Sequence, residues 1–170
     1  MTVELKCFGS EYGHWCFIEH ESLRDCIVIS GGVGEDMSFD IDFASEYGAK
    51  VILYDPTPRS IKHFELVSNN FGKKSLIDYV PGGNQPIESY DLSNLTSKNF
   101  VYREYALWNK NTRVKFFQPT NKNYVSHSVT NIQRNYDVKD SDFIEVDSIK
   151  LSDEISTLDK FPSILKLDIE

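Results

Sequence analysis

The chain lacks an apolar run long enough to span a bilayer, and it shows no leader-like apolar segment behind basic residues. Membrane insertion is therefore not expected, and a cytoplasmic setting is the default expectation. Lysine and arginine nowhere cluster, and the formal net charge is −8 over 170 residues. Without a surface that gathers phosphates, DNA, bulk RNA and anionic membranes are disfavoured as partners. Cysteine is scarce and odd in number: Cys7, Cys16 and Cys26 fit no Cys-x-x-Cys spacing. Cys26 opens an apolar run and is expected as a small core residue. His14, His20 and His63 show no ligand spacing, so no metal site is expected.

Aromatic residues, by contrast, are plentiful. Eleven Phe and nine Tyr, with 40% hydrophobic residues overall, are enough for a buried core in one domain. No internal repeat is present. Residues 1–25 carry Phe8, Tyr12, Trp15 and Phe17, which suggests an aromatic hairpin or lead-in covering one end of a sheet. Residues 26–170 form the main domain.

The pattern predicts a strand near 26–30, a helix near 36–47 stopped by Gly48, and a second strand near 50–54. Met37, Ile41, Phe43, Ala44 and Tyr47 supply the first helix's apolar face. Thr57 is the expected N-cap and Pro58 the first residue of a helix reaching about Phe71, with Ile61, Phe64, Leu66 and Val67 inward. A loop follows around 81–86, then a short helix over 91–97. Alternation predicts a third strand over 100–107, a turn over 108–111 and a strand over 113–117 pairing back. Residues 119–135 form a long polar loop, of the kind that is more often functional than idle. A strand over 143–146, a helix over 151–158 and an apolar strand over 164–170 complete the pattern.

The most telling segment is Cys26-Ile27-Val28-Ile29-Ser30-Gly31-Gly32-Val33-Gly34-Glu35-Asp36, answered by Val51-Ile52-Leu53-Tyr54-Asp55. An apolar strand, a glycine turn, a helix and a second strand ending on an acid make the opening βαβ unit of a nucleotide-binding α/β domain. Gly32 and Gly34 begin a dinucleotide fingerprint, but its third glycine is replaced by Met37. A nicotinamide-dependent oxidoreductase is therefore the weaker enzyme reading; no Tyr-x-x-x-Lys pairing supports it. A methyltransferase needs only the Gly-x-Gly turn and the acid. A non-catalytic binding domain remains the alternative from another class. Asp55 either accepts bonds from ribose hydroxyls or merely caps the following helix. Glu35 and Asp36 either meet a ligand or are helix N-terminal charges. His127, in the polar loop, is a candidate general base or an ordinary loop residue.

Gly32-Val33-Gly34-Glu35-Asp36-Met37-Ser38-Phe39-Asp40, Tyr54-Asp55-Pro56-Thr57-Pro58-Arg59-Ser60-Ile61, Ala106-Leu107-Trp108, Val125-Ser126-His127-Ser128-Val129 and Leu165-Lys166-Leu167-Asp168-Ile169-Glu170 occur in that order. Together they resemble the FkbM family of S-adenosylmethionine-dependent methyltransferases. The resemblance implies an α/β fold with a Rossmann-like class I methyltransferase sheet and flanking helices, over a cofactor-binding domain at 26–170. It implies S-adenosyl-L-methionine as cofactor and methyl transfer to a hydroxyl of a small molecule or glycan. Cofactor contacts would come from Ser30, Gly31, Gly32, Gly34, Glu35 and Asp36 at the methionine end. Asp55, Pro56 and Thr57 would serve the ribose, and Ala106, Leu107 and Trp108 the adenine. Asp168, which starts the family's Asp-x-Glu-Gly motif, joins His127 as a catalytic candidate, with Ser126, Ser128 and Glu170 on the acceptor side. The sequence departs from the general glycine pattern at Ser30 and Asp36. It also stops where family members continue through a glycine and further strands. The expectation is a fold truncated after its fourth core strand, inactive alone.

Overall fold

The computed structural model describes residues 5–119, 121, 123–130 and 142–169. Its centre is β3 (Ile27–Gly31), buried along its whole length. Uninterrupted Ile-Val-Ile suits a strand covered on both faces, which is the condition of an interior parallel strand. β4 (Lys50–Tyr54) pairs with it on one side, Val28 opposite Val51, and β5 (Phe100–Arg103) continues beyond β4. On the other side lies β9 (Ile164–Leu167), Ser30 opposite Lys166. The order β5-β4-β3-β9 is parallel throughout.

The helices α1 (Ser38–Tyr47) and α2 (Pro58–Ser68) make the crossovers to β4 and β5. Both pack on one face of the sheet, against Val28, Val51, Leu53 and Phe100. The opposite face, Ile27, Ile29, Ile52 and Tyr54, is covered by Leu107, Ile149, and Leu151, Ile155 and Leu158 in and just after α3 (Leu151–Ser156). Helical cover thus changes face between β3 and β9, the switch point at which open α/β sheets form a crevice.

The N-terminal hairpin is β1 (Leu5–Phe8) with β2 (Trp15–Ile18), in the register Cys7 opposite Cys16, and those two cysteines are disulfide-bonded. Phe8 and Phe17 join Phe39, Phe43 and Tyr47 in one aromatic cluster. Because α1 is held between hairpin and sheet, it is buried around most of its circumference, including Ser38 and Asp40. Cys26 is buried and takes no part in a disulfide, a small core residue as expected.

Several elements differ from the sequence expectation. The expected third strand is two: β5 belongs to the parallel sheet, while β6 (Ala106–Trp108) joins a second sheet. There β7 (Thr112–Phe117) does not pair back onto β6. Both border β8 (Phe143–Lys150), in the order β6-β8-β7. No helix forms over 91–97, because the Asp91 carboxylate takes the Ser93 N–H at 3.1 Å and closes a local turn instead. In α2 Val67 is buried and Phe64 packs against the core as expected, but Leu66 is exposed, and Ser60 and His63 join the inward row. α1 begins at Ser38, α2 ends at Ser68 and α3 at Ser156, each short of expectation. No described helix is long and apolar enough to cross a membrane.

Candidate functional site

The glycine turn leaves β3 at Gly31. Gly32 has φ +77°, and a Cβ there would lie 2.0 Å from the carbonyl oxygen of Asp168. Only glycine permits β9 to end this close to the turn. Gly34, at φ +57°, completes the reversal.

Asp55 follows β4 and is only 6% exposed. Its Oδ2 accepts the N–H groups of Val33 at 3.0 Å and Gly34 at 2.9 Å. Its Oδ1 accepts the Thr57 N–H at 2.8 Å and the Thr57 hydroxyl at 2.6 Å. One carboxylate therefore fixes at once the glycine turn and the residue that leads into α2. Thr57 is the N-cap residue by position, but its side chain makes no capping bond and donates to Asp55 instead.

The next two acids are also engaged. Asp36 accepts the Ser38 N–H at 3.0 Å and the Ser10 hydroxyl at 2.6 Å, so it caps α1 and ties the hairpin to it. Glu35 forms an ion pair with Arg59, whose Nη1 donates to the carbonyl of Asn123 at 3.2 Å. Met37, at the missing third glycine, is fully buried, and its N–H donates to the Tyr90 hydroxyl at 3.0 Å. A phenol that accepts there can give its own proton to His63 Nε2, 2.8 Å away. Burial holds the His63 pKa below its ordinary value, with partial opposition from Glu35 and Asp36. Burial thus favours the uncharged imidazole, which can accept that proton.

Above the carboxyl ends of the strands lies a cavity of about 560 Å³, within the range of small-molecule and cofactor sites. Gly32, Gly34, Glu35, Asp36, Asp55, Pro56, Thr57 and Asp168 line its base. Tyr12 and Trp15 of the hairpin stand on one side; Ala106, Leu107, Trp108, Ser126 and His127 contribute on another. These are most of the residues singled out from sequence. Three are not on the wall. Ser30 is buried beneath it, accepting from Lys166 at 3.2 Å. Gly31 is packed against Leu107 and Leu167. Ser128 is fully buried and does not face the site, because its backbone bonds to Phe117 and its hydroxyl accepts the Thr130 N–H. Glu170 and residues 131–135 of the polar loop lie outside the described residues.

His127 stacks on Phe116, with ring centroids 5.7 Å apart, and its Nδ1 lies 2.8 Å from the carbonyl oxygen of Val125. A carbonyl can only accept, so Nδ1 donates to Val125, which leaves Nε2 as the ring nitrogen not engaged by that carbonyl.

Sequence reasoning missed Arg59, Tyr12, Trp15 and Lys166. For Lys166 a signal was present, a lysine between two leucines in a buried-sheet strand. Among the described residues no group of His, Cys, Asp or Glu could hold a metal ion. Comparison of the chain with protein-family models, curated proteins and solved structures returns no match.

Proposed function

We propose that the chain binds S-adenosyl-L-methionine and serves an O-methyltransferase acting on a hydroxyl of a small molecule or sugar, in line with its resemblance to the FkbM family. The observation that carries this reading is the treatment of the α1 N-terminus. A dinucleotide's pyrophosphate would be held by unpaired N–H groups there. Here the Asp36 carboxylate already occupies the Ser38 N–H, and its charge repels a phosphate. The cavity therefore suits an adenosine-containing ligand without a pyrophosphate, which favours the sulfonium donor over a nicotinamide.

When bound, the donor supplies an electrophilic methyl that is displaced in line by the acceptor oxygen. The protein's share is positioning and proton transfer. The turn held by Asp55 sets the base of the site, and the ion pair with Arg59 holds Glu35 in place on its wall. His127 Nε2 takes the hydroxyl proton as oxygen attacks. Asp168, exposed at the end of β9, contributes to donor binding rather than rate, since a carboxylate near a sulfonium stabilises the bound ground state more than the less-charged transition state.

Calorimetric titration with S-adenosylhomocysteine and with NAD tests the reading. Binding of the first and not the second is expected; the reverse would make this an oxidoreductase site, and no binding of either a structural domain. For compartment, the cytoplasmic expectation meets one opposing observation, the Cys7–Cys16 disulfide, because such bonds persist chiefly in oxidising surroundings.

A further inference from the structure

Lys166 is the one charged residue of the four-strand sheet's interior that no step above uses. Its side chain is 5% exposed and lines the cavity beneath Trp15, with Nζ 5.9 Å from the indole centroid. The ammonium has three donors. One goes to the Ser30 hydroxyl at 3.2 Å. Asp40 Oδ2 stands 3.6 Å away, close enough to supply charge but too far for a hydrogen bond. Asp40 itself is fully buried, and among the described residues neither of its oxygens has a hydrogen-bond donor.

A buried ammonium persists only with an opposite charge and satisfied donors. Asp40 meets the first need from behind, on α1, and does not reach the cavity wall. Among the described residues, nothing on the cavity side meets the second need. What the ligand space sees at this end is thus the positive member of the pair, with a donor to spare, next to the glycine turn through Ser30.

We infer that Lys166 is an anchor for a carboxylate of the bound ligand, with Asp40 as its ion-pair partner from behind. The inference rests on the methyl-donor reading, in which the glycine-turn end receives the amino-acid portion of the donor. Its α-carboxylate would complete the ammonium's hydrogen bonds, under the Trp15 ring. A carboxylate fits better than a phosphate because Asp36 lines the same end and repels a second negative charge.

The test compares S-adenosylhomocysteine with its decarboxylated analogue, which keeps adenosine, thioether and amine. By calorimetry the unaltered protein is expected to bind the carboxylate form about tenfold or more tightly, the scale of one charged hydrogen bond. Lys166→Met should abolish that preference. Because this change strands Asp40 without a cation, the double variant Asp40→Asn/Lys166→Met, which removes both charges, is measured beside it. Equal affinity of the two nucleosides for the unaltered protein would overturn the inference while leaving the donor reading intact. A preference that survives in either variant would overturn it too. Failure of both nucleosides to bind would bring down the donor reading, and the anchor with it.

Discussion

Replacing Asp55 by alanine should destabilise the fold before it touches any ligand. The carboxylate accepts three backbone N–H groups and one hydroxyl, from Val33, Gly34 and Thr57. Asp55 is nearly buried, so water replaces it poorly. Each bond to a charged acceptor contributes roughly 1.5–3 kcal/mol, and the Thr57 hydroxyl can rotate to a new partner, leaving three stranded donors. Allowing for partial hydration and non-additivity, Asp55→Ala should cost on the order of 3–5 kcal/mol, much of a domain's typical stability. Asp55→Asn is milder. Its remaining oxygen can keep Val33 and Gly34 while the amide donates to Thr57 Oγ1, so only the Thr57 N–H is lost, about 1–3 kcal/mol. Urea unfolding of the three proteins reads the series directly. An Asp55→Ala protein within about 0.5 kcal/mol of the original would refute the clamp, since surface-like substitutions have effects of that size. A ribose role then shows as a further loss of S-adenosylhomocysteine affinity in Asp55→Asn, measured where that variant is fully folded.

Gly32→Ala and Gly34→Ala both place a side chain at positive φ, but only the first collides with Asp168; urea unfolding should show a loss of about 1–2 kcal/mol for Gly34→Ala and clearly more for Gly32→Ala. The His63 pKa is depressed in the folded state, so the unfolded chain takes up the proton first. Stability should be unaffected well above pH 6.5, then fall as pH drops through the folded value. Asp42, raised by burial, acts in the opposite sense, so the His63 contribution is read as the difference from His63→Gln, whose profile should be flatter. If the methyl-transfer reading holds, His127→Ala should reduce turnover of an acceptor by about a hundredfold, while donor affinity measured by calorimetry stays within about twofold; equal losses in both would remove the base.

Some of this architecture is written locally. The buried runs of β3 and β4, the helix between them and the Gly48 stop are local patterns, and they occur where the periodicity puts them. The second sheet is not local: β6 and β7 find their partner in β8, beyond the long polar loop, and no alternation within 100–117 could reveal a strand that inserts between them. His63 stands on the inward row of α2 because Tyr90, from a distant turn, offers it a hydroxyl. The site residues were legible as types at strand ends. Their hydrogen bonding was not, since the acceptor of the Val33 and Gly34 N–H groups depends on the φ angles of the turn. Asp55 thus looked like a ligand acid, and in the folded chain all four of its described bonds are internal.

The chain has two tryptophans, and both border the cavity. Trp15 stands on the hairpin and Trp108 on β6, each a little over one-third exposed. Indole emission, excited at the red edge where tyrosine does not absorb, therefore comes entirely from the walls of the site. A purine or other π-system entering the cavity would stack on or displace solvent from an indole, changing its quantum yield and colour. Trp15→Phe leaves a reporter on the β6 side alone, and Trp108→Phe one beside Lys166. With those two proteins, the order in which a ligand's parts settle can be followed optically, without a label and without knowing the acceptor.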